Sequence, residues 1–308
     1  MAIIICAVII APARVMAAEA TINLGTTVNF AVLAATTVTN TGSSVIDGDA
    51  GGDVGVSPGT SVTGFFPPGI VLNGTIHLND AAAIQAQTDL VAAYDEAAGR
   101  SVTQNLTGQD LGGLTLTSGV YKFDSSAQLT GALTLNAEGN PDAAFIFQIG
   151  STLTTASASS VILTNGAQYC RVFWQVGSSA TLGTDSTFIG HIFAMASITA
   201  TTNATIQGQL LARTGAVTLD SNVITNGVCA VPTPTPTPIP TPTPTPIPTP
   251  IPTPTLTPTP LLTTAAEAAT IDNDLPQTGE TENFGIIGLI LLGLGGSLVI
   301  YMRRIKAH

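Results

Sequence analysis

Threonine recurs at the end of four short motifs in the second half of the chain. Each motif has an apolar residue before the threonine and Thr, Ser or Ala before that, at 151–154, 178–181, 196–199 and 215–218. The side chain combines a hydroxyl group that can join an ordered water network with a poorly hydrated methyl group. Its branched Cβ restricts χ1, so little rotamer entropy is lost when it is held against a partner. Repeated on one surface, such side chains are suited to adsorption onto a regular array.

The spacing of these threonines indicates the element that positions them. If Thr134 begins the series, the steps to Thr154, Thr181, Thr199 and Thr218 are 20, 27, 18 and 19 residues. Steps of 18 to 20 residues match one turn of a β-solenoid with three short strands per turn. The 27-residue step predicts a turn with a longer loop.

Alternation along the strands predicts that the apolar residue before each threonine faces the interior, whereas the threonine faces solvent. The expected outward column consists of Thr154, Thr181, Thr199 and Thr218. A second column, two residues earlier on each strand, would consist of Thr152, Ser179 and Ser197. Ala216 interrupts this second column.

Two further strands complete each predicted turn. One set covers 187–189, 205–207 and 223–225, and the other covers 172–176, 191–194 and 210–213. A second candidate face would carry Thr187, Thr205 and Thr225, but Ile189 and Gln207 interrupt it.

One helix is predicted, over 81–98, with Asn79 and Asp80 as N-cap candidates and Gly99 suited to the C′ position. A face with 3.6-residue periodicity would contain Ile84, Gln87, Val91, Tyr94 and Ala98. We expect this helix to pack along the solenoid.

Composition argues against several classes of function. The net charge is −11, and nucleic acid is therefore not expected as a partner. Solenoids also occur as polysaccharide lyases and hydrolases, which need clustered carboxylates or a base beside Lys or Arg. No Asp or Glu pair recurs on one predicted face, and we expect no enzymatic activity and no cofactor.

No metal site is predicted either. Asp47, Asp49 and Asp53 lie among glycines, but their spacing does not match an EF-hand loop, which ends in a bidentate glutamate. A Gly/Asp turn is the better interpretation. His77 and His191 have no partner ligands in the sequence and are interpreted as structural or surface residues.

The C-terminus resembles a sortase sorting signal. Its parts are Leu275, Pro276, Gln277, Thr278 and Gly279, an apolar run over 284–301, and a basic end. In such signals the transpeptidase cuts between Thr and Gly and joins the Thr carbonyl to peptidoglycan. The apolar run is long enough to cross a bilayer before sorting. This resemblance predicts a cell-wall-anchored extracellular protein with a transient transmembrane helix, and an ordinary membrane anchor is the alternative.

Other segments fit export. Residues 1–20 contain a short apolar stretch and end in Ala-Glu-Ala, which is typical of a signal peptide although a basic n-region is missing. Residues 231–260 alternate Pro with Thr or Ile, which predicts an extended polyproline II stalk, and a polar linker continues to 274. The head therefore spans residues 21–230. In an exported chain, Cys170 and Cys229 favour a disulfide over two buried thiols.

Nearly all of the head resembles the microbial ice-binding protein family. The matching segments are Asn23–Thr26 with Phe30–Leu33, Gly55–Gly59, Ala92–Asp95 with Ala97–Arg100, Leu114–Tyr121, Ala144–Gln148, Val172–Val176, Ala180–Gly183 and Gly215–Asp220. The resemblance implies an all-β fold: a right-handed, three-sided β-solenoid with one long α-helix packed alongside. It also implies that the solenoid is discontinuous, because N-terminal and C-terminal strands close it together.

The same resemblance implies adsorption to ice. Family members use a flat face of Thr and small residues, often in a Thr-Ala/Gly-x-Thr/Asn pattern, which 199–202 fits. The expected ice-binding residues are Thr152, Thr154, Ser179, Thr181, Ser197, Thr199, Thr201 and Thr218. The alternative is a surface adhesin that binds carbohydrate or another cell through the same solenoid.

Overall fold

The computed structural model describes residues 19–48, 51–227 and 229. Its strands are β1 Phe30–Ala34, β2 Thr37–Thr41, β3 Val45–Gly48, β4 Asp53–Val56, β5 Ser61–Thr63, β6 Ile70–Leu72, β7 Ile76–Leu78, β8 Gln104–Asn105, β9 Thr115–Leu116, β10 Gly119–Phe123, β11 Ala127–Leu129, β12 Ala132–Asn136, β13 Phe145–Ile149, β14 Leu153–Thr155, β15 Ser160–Thr164, β16 Val172–Val176, β17 Ala180–Leu182, β18 Thr187–Ala194, β19 Ile198–Ala200, β20 Thr205–Ala212, β21 Val217–Asp220 and β22 Val223–Asn226. The helices are α1 Ala81–Gly99 and the 3-10 helices Gly25–Asn29 and Tyr169–Arg171.

The strands pair in parallel and form three faces of a coil, as expected for a solenoid. The threonine face is a separate seven-stranded sheet in the order β11, β14, β17, β19, β21, β2, β5. The helix face runs β8, β10, β13, β16, β18, β20, β1, β4, β7. The third face runs β9, β12, β15, β18, β20, β22, β3, β6.

Two long strands, β18 and β20, pass from the third face to the helix face. They turn the corner at Gly190 and Gly208, whose φ values are 114° and 143°. A Cβ on Gly208 would lie 2.0 Å from the carbonyl oxygen of Gly190 in the neighbouring turn. This corner therefore requires glycine both for its backbone conformation and for the close approach of successive turns.

The solenoid is discontinuous, as predicted. The N-terminal strands β1, β2 and β3 stack on the C-terminal strands β20, β21 and β22, which places Val32 opposite Leu210 and Ile46 opposite Ile224. The next turn, formed by β4, β5 and β6, continues the stack beyond them. The last described strands, β20 to β22, thus lie in the middle of the coil, with N-terminal strands beyond them.

The interior of the coil is apolar, and its ladders follow the strand register. The predicted inward residues Leu153, Ala180, Ile198 and Val217 are all buried. Aromatic rings also stack from turn to turn: the rings of Phe147 and Trp174 are 3.8 Å apart between centroids. Burial of these side chains, at roughly 25 cal/mol per Å² of apolar surface, is the main stabilising contribution.

The helix α1 packs on the helix face as predicted, and Tyr94 of the predicted side is buried there, but the other buried residues differ from the predicted ones. Its buried residues are Ala83, Ala86, Leu90, Ala93, Tyr94 and Ala97. The predicted contact residues Ile84 and Val91 are exposed instead, at 50% and 40%. Small alanines let the helix backbone approach the flat sheet closely, and they pack against larger residues supplied by the strands, such as Ile146 and Phe173.

The ends of α1 are set by side chains. Asp80 is the N-cap, and its carboxylate accepts a hydrogen bond of 3.0 Å from the backbone N–H of Ala83. The prediction for Gly99 is wrong, because Gly99 is the last helical residue and the C-cap is Arg100 in an extended conformation. Gln148 of the neighbouring strand satisfies the free carbonyls there, donating to those of Ala97, Ala98 and Arg100.

The predicted start of the threonine series is also wrong. Thr134 lies on β12 of the third face, where it is opposite Ile162. The residue opposite Thr154 is Gln128. A Leu-Thr pair is compatible with any half-buried strand, so its spacing alone did not distinguish the faces. The longer turn between Thr154 and Thr181 does contain an added loop, which includes the 3-10 helix Tyr169–Arg171.

Within the described residues, no helix is long and apolar enough to span a bilayer. Residues 1–18 of the signal peptide predicted over 1–20, the stalk, the sorting signal and the predicted transmembrane segment over 284–301 lie outside them.

Candidate functional site

Six threonines from successive turns stand in register on the threonine face. Starting at Gln128, the strand register places the following residues opposite one another in order: Thr154, Thr181, Thr199, Thr218, Thr39 and Thr63. We call these six residues the threonine column. Neighbouring strands in a parallel sheet are about 4.8 Å apart, so the column is a row of hydroxyl and methyl groups with a regular repeat.

Each strand holds its threonine outward by burying the residues on either side. In β19, for example, Ile198 and Ala200 are buried while Thr199 between them is partly exposed. The same alternation occurs in β14, β17 and β21. Because the flanking side chains are packed inside the coil, the threonines cannot turn inward without breaking the core.

Two members of the column, Thr39 and Thr63, were missed in the sequence. Both are exposed, and both follow an apolar residue with Thr or Ser two positions earlier, in the segments 37–39 and 61–63. The pattern of Thr or Ser, an apolar residue and Thr is therefore present in both segments. They lie far from Thr154 in the sequence, so the regular spacing of the later motifs does not include them. Only the stacking of the N-terminal strands onto β21 brings them into the column.

The second column is less regular and partly bonded within the sheet. Thr152 Oγ1 donates to Ser126 Oγ at 2.8 Å. The hydroxyl oxygens of Ser179 and Ser197 accept hydrogen bonds from backbone N–H groups of the next turn, at 3.3 and 3.2 Å. These hydroxyls reinforce the stacking of turns, and at Ala216 the column has only a methyl group.

Thr201 lies at the edge of the threonine face, one residue beyond β19. Its hydroxyl donates to the carbonyl oxygen of Leu182 at 2.7 Å and lies 3.3 Å from the hydroxyl of Thr184. The hydroxyl hydrogen of Thr201 is therefore bonded within the protein. The side chain can still present its methyl group and a lone pair of the hydroxyl oxygen to a partner.

Charge is sparse on this face. Among its strand residues, the ionisable group is Asp220, at the end of β21. At the Gln128 end, burial would raise the pKa of Asp110, but hydrogen bonds from Thr130 and Gly112 outweigh it and lower that pKa. Both carboxylates lie at the margin, so the column itself is an uncharged surface.

The third face is a poorer match to a regular array. Thr187 is opposite Thr205, but Thr205 is next to Val223, and Thr225 is opposite Gln207 on one side and Asp47 on the other. The predicted interruption by Ile189 and Gln207 is confirmed, because these two residues stand in the row of Thr225.

Both histidines interpreted as structural have defined surroundings. His77 lies between Asp53 and Asp80, with nitrogen–oxygen distances of 3.3 and 2.7 Å, so the expectation that it lacks partners is wrong. The hydrogen bond from Ala83 and the contact with His77 hold the pKa of Asp80 below its usual range. His191 is buried beside Phe173, and burial lowers its pKa to about 4.

Cys170 and Cys229 form a disulfide with a Cα–Cα distance of 5.7 Å. It joins the 3-10 helix Tyr169–Arg171 to the residues that follow β22. Within residues 19–48, 51–227 and 229, no group of three His, Cys, Asp or Glu side chains is arranged to hold a metal ion.

Comparison with known proteins agrees with this geometry. A family model described as "Ice-binding-like" matches residues 32–225. An ice-binding protein of Nostoc sp. (strain HG1) is 56% identical over 210 residues, which cover 68% of this chain and 76% of the relative.

Solved structures show the same architecture. The crystal structure of an ice-binding protein from an Antarctic biological consortium superposes with a TM-score of 0.65 at 46% identity, covering 70% of this chain and 95% of that protein. An ice-binding protein of the ascomycete Antarctomyces psychrotrophicus gives a TM-score of 0.63 at 45% identity, covering 67% and 98%. Both solved chains consist almost wholly of the matched segment, so in those two proteins this segment folds by itself.

Proposed function

The chain belongs to the ice-binding-like family, and we propose from that premise that its head adsorbs to ice through the threonine face. The observation that carries the proposal is the threonine column, in which six threonines face outward in register. The relatives named above are ice-binding proteins, which supports ice over the carbohydrate or cell-surface ligand of an adhesin.

The physical basis is a match between two rigid arrays. The spacing is about 4.8 Å between turns and about 6.6 Å between residues i and i+2 on one strand, and both come close to oxygen repeats in ice. The restricted χ1 of threonine keeps the array ordered before contact, so docking loses little entropy. The methyl groups exclude water, while the hydroxyls join the ordered layer. A charged side chain would hold its own hydration shell against the lattice.

We assign the main role to Thr154, Thr181, Thr199 and Thr218, with Thr39 and Thr63 added from the N-terminal strands. The supporting set is Thr152, Ser179, Ser197 and Thr201. Its weaker role follows from the internal hydrogen bonds of its hydroxyls. We also infer a right-handed coil, because crossovers between parallel strands are right-handed in about 98% of cases.

The proposed activity is adsorption without catalysis. The known relatives support this, since their names describe binding to ice. No cofactor is needed for the mechanism, because the interaction is between side chains and ordered water.

We further propose that the protein acts outside the cell, attached to the wall. The support is in the sequence: a signal peptide over 1–20, the stalk and linker over 231–274, and the sorting signal at 275–308. Sortase would join Thr278 to peptidoglycan after the 284–301 segment has held the chain in the membrane. A tethered head is suited to holding a cell on ice or shaping ice near its surface.

The decisive experiment uses a fluorescently labelled head, residues 21–230, on a growing ice crystal. We expect the label to accumulate on the crystal, the crystal to be shaped, and thermal hysteresis to be measurable. A head that shows none of these and is excluded by an advancing ice front would contradict ice adsorption and favour the adhesin.

The anchor needs a separate test in cells. Changing Pro276→Ala in the full chain should move the protein from the wall fraction to the membrane or the medium, while ice adsorption by the head stays unchanged. An unchanged distribution would contradict sortase attachment.

A further inference from the structure

The junction between the C-terminal and N-terminal turns is held by buried amide side chains. We call this junction the seam; it lies where β1, β2 and β3 stack on β20, β21 and β22. Gln209 and Asn226 come from the C-terminal side, and both are at least 96% buried, with exposures of 0% and 4%. Their amide groups reach backbone carbonyls of the N-terminal side.

The amides replace ladder hydrogen bonds that the backbone does not make there. In the register of β1 on β20, the paired residues are Val32 and Leu33, and a register shift between Phe30 and Val32 interrupts the pairing of β1 with β4. Residues 27–29 belong to the 3-10 helix Gly25–Asn29 and have no strand partner, although the carbonyl of Thr27 accepts a hydrogen bond from the backbone N–H of Phe30. A buried carbonyl without a donor is destabilising, so side-chain donors stabilise this stretch.

Gln209 and Asn226 supply these donors. Gln209 Nε2 donates to the carbonyls of Thr27 and Phe30 at 2.6 and 2.7 Å. Asn226 Nδ2 lies 3.2 Å from the carbonyl oxygen of Val28, 3.0 Å from that of Gly51 and 3.5 Å from that of Phe30. These two side chains thereby hold the N-terminal chain both at residues 27–30 and at Gly51.

A third contact closes the seam beside the threonine face. The backbone N–H of Asn222 donates to Ser44 Oγ at 2.9 Å, and the backbone N–H of Val45 donates to the carbonyl of Asn222 at 2.8 Å. The Asn222 side chain donates in the other direction, to the carbonyl of Thr201 at 2.8 Å. Asn222 thus links the turn that carries Thr199 to the turn that carries Thr39.

From this geometry we propose that Gln209 and Asn226 are positioning residues for the adsorption surface. They keep the N-terminal strands seated on the C-terminal turn, so that Thr39 and Thr63 continue the row begun by Thr154. Without the seam, the column has four threonines in line instead of six. This inference rests on the proposed function, since it concerns how the ice-binding face is assembled.

The test is a double-mutant cycle on the head, measured as thermal hysteresis and as adsorption to ice near 0 °C. One arm is Asn226→Ala, a second is the pair Thr39→Ala and Thr63→Ala, and the third combines all three changes. We expect Asn226→Ala to lower hysteresis to the level of the threonine pair. Adding it to the threonine pair should cause no further loss, because both changes remove the same part of the surface.

A matched control separates positioning from general stability. Gln148→Ala also removes a buried amide that donates to three carbonyls, but at the end of α1 and not at the seam. It should lower the melting temperature while leaving hysteresis near the wild-type value. Equal losses of hysteresis in Gln148→Ala and Asn226→Ala would overturn the inference, as would independent, multiplicative losses in the cycle.

If Asn226→Ala does not fold near 0 °C by circular dichroism, Asn226→Asp supplies the same information. At neutral pH its carboxylate would face carbonyl oxygens, whereas protonation at lower pH restores one donor. Hysteresis should then recover, relative to wild type at the same pH, as the pH is lowered. A constant ratio of variant to wild-type hysteresis would overturn the proposal.

The two hypotheses fail in different ways. A wild-type head that does not adsorb to ice would refute the proposed function, and the inference with it. A wild-type head that adsorbs, together with an Asn226→Ala variant of unchanged hysteresis, would refute the inference alone.

Discussion

Thr39 lies directly opposite Thr218 in a parallel register, although the two residues belong to strands near opposite ends of the head sequence. Their neighbours Val38 and Val217 are opposite one another inside the coil, so the contact is fixed from the core outward. The threonine face is therefore assembled from both ends of the head, and neither end provides all of it.

A charge in the middle of the threonine column should abolish adsorption. In Thr199→Lys, the ammonium group would retain its hydration shell at the point where the face must meet the lattice. We expect loss of thermal hysteresis and of partition into a growing ice front, with the melting temperature changed by little, since surface substitutions typically shift stability by within about 0.5 kcal/mol.

The control for this change is Thr205→Lys, an exposed threonine on a neighbouring strand of the third face. It should leave adsorption intact. If Thr205→Lys abolished adsorption and Thr199→Lys did not, the third face would be the ice-binding surface.

The strand register predicts that substitutions of Thr39 and Thr134 differ in their effect on adsorption, which the spacing of threonines in the sequence does not predict. Thr39→Lys should impair adsorption, because Thr39 stands next to Thr218 in the column. Thr134→Lys should have little effect, because Thr134 lies on the third face opposite Ile162. Ice-affinity partition of the two variants side by side would show this, and the reverse order of effects would contradict the strand register.

Removing the disulfide should destabilise the head without changing what it binds. The bond closes a loop of 59 residues, and the chain-entropy model gives a stabilisation of about 4 kcal/mol for a loop of that length. Cys170→Ser with Cys229→Ser should thus lower the melting temperature clearly, as measured by calorimetry. Adsorption at 0 °C should persist, because both cysteines lie outside the strands of the threonine face. Loss of adsorption in a folded variant would show that the bond shapes this face.

Acidification should weaken the fold through His191. Burial depresses its pKa from 6.5 to about 4. Between those values the unfolded chain binds a proton that the folded chain does not, so stability falls as pH is lowered through this window, by up to about 1.4 kcal/mol per pH unit. Above pH 6.5 His191 is neutral in both the folded and the unfolded chain, so this loss of stability is absent there.

The measurement is the melting temperature of wild type and His191→Gln between pH 7.5 and 4.5. The wild type should lose stability more steeply than the variant over this range. Asp80 provides a contrast, because its lowered pKa places its own loss of stability at more acidic pH. Parallel curves for wild type and variant would show that His191 does not titrate as described.

The sequence was most informative where one pattern had one structural solution. A short strand with an apolar residue before each threonine can face only one way in a coil, and the inward set from Leu153 to Val217 is buried as predicted. The same pattern did not identify the face for Thr134, because an apolar residue followed by threonine also occurs on strands of the third face. Thr39 and Thr63 joined the column only through long-range stacking, which local patterns do not encode.

The helix illustrates a second limit. Periodicity favoured Ile84 and Val91 as contacts because large apolar residues are expected to be buried. In the structure the space beneath the helix is largely filled by side chains of the sheet, such as Phe173 and Phe193, so most of the buried helix residues are alanines, while Ile84 and Val91 lie outside. Predicting this requires knowing the partner surface as well as the helix.

The disulfide has a mechanical consequence. Cys229 lies three residues after the end of the strand β22, which pairs with β20 on one side and β3 on the other. Because Cys229 is covalently joined to Cys170, tension applied to the chain beyond it is passed to the segment before β16. The backbone hydrogen bonds that pair β22 with β20 and β3 then do not bear this tension. While the disulfide stays oxidised, a head pulled from its C-terminal side would bear the load at Cys170, and the turns between Cys170 and Cys229 would be shielded from it.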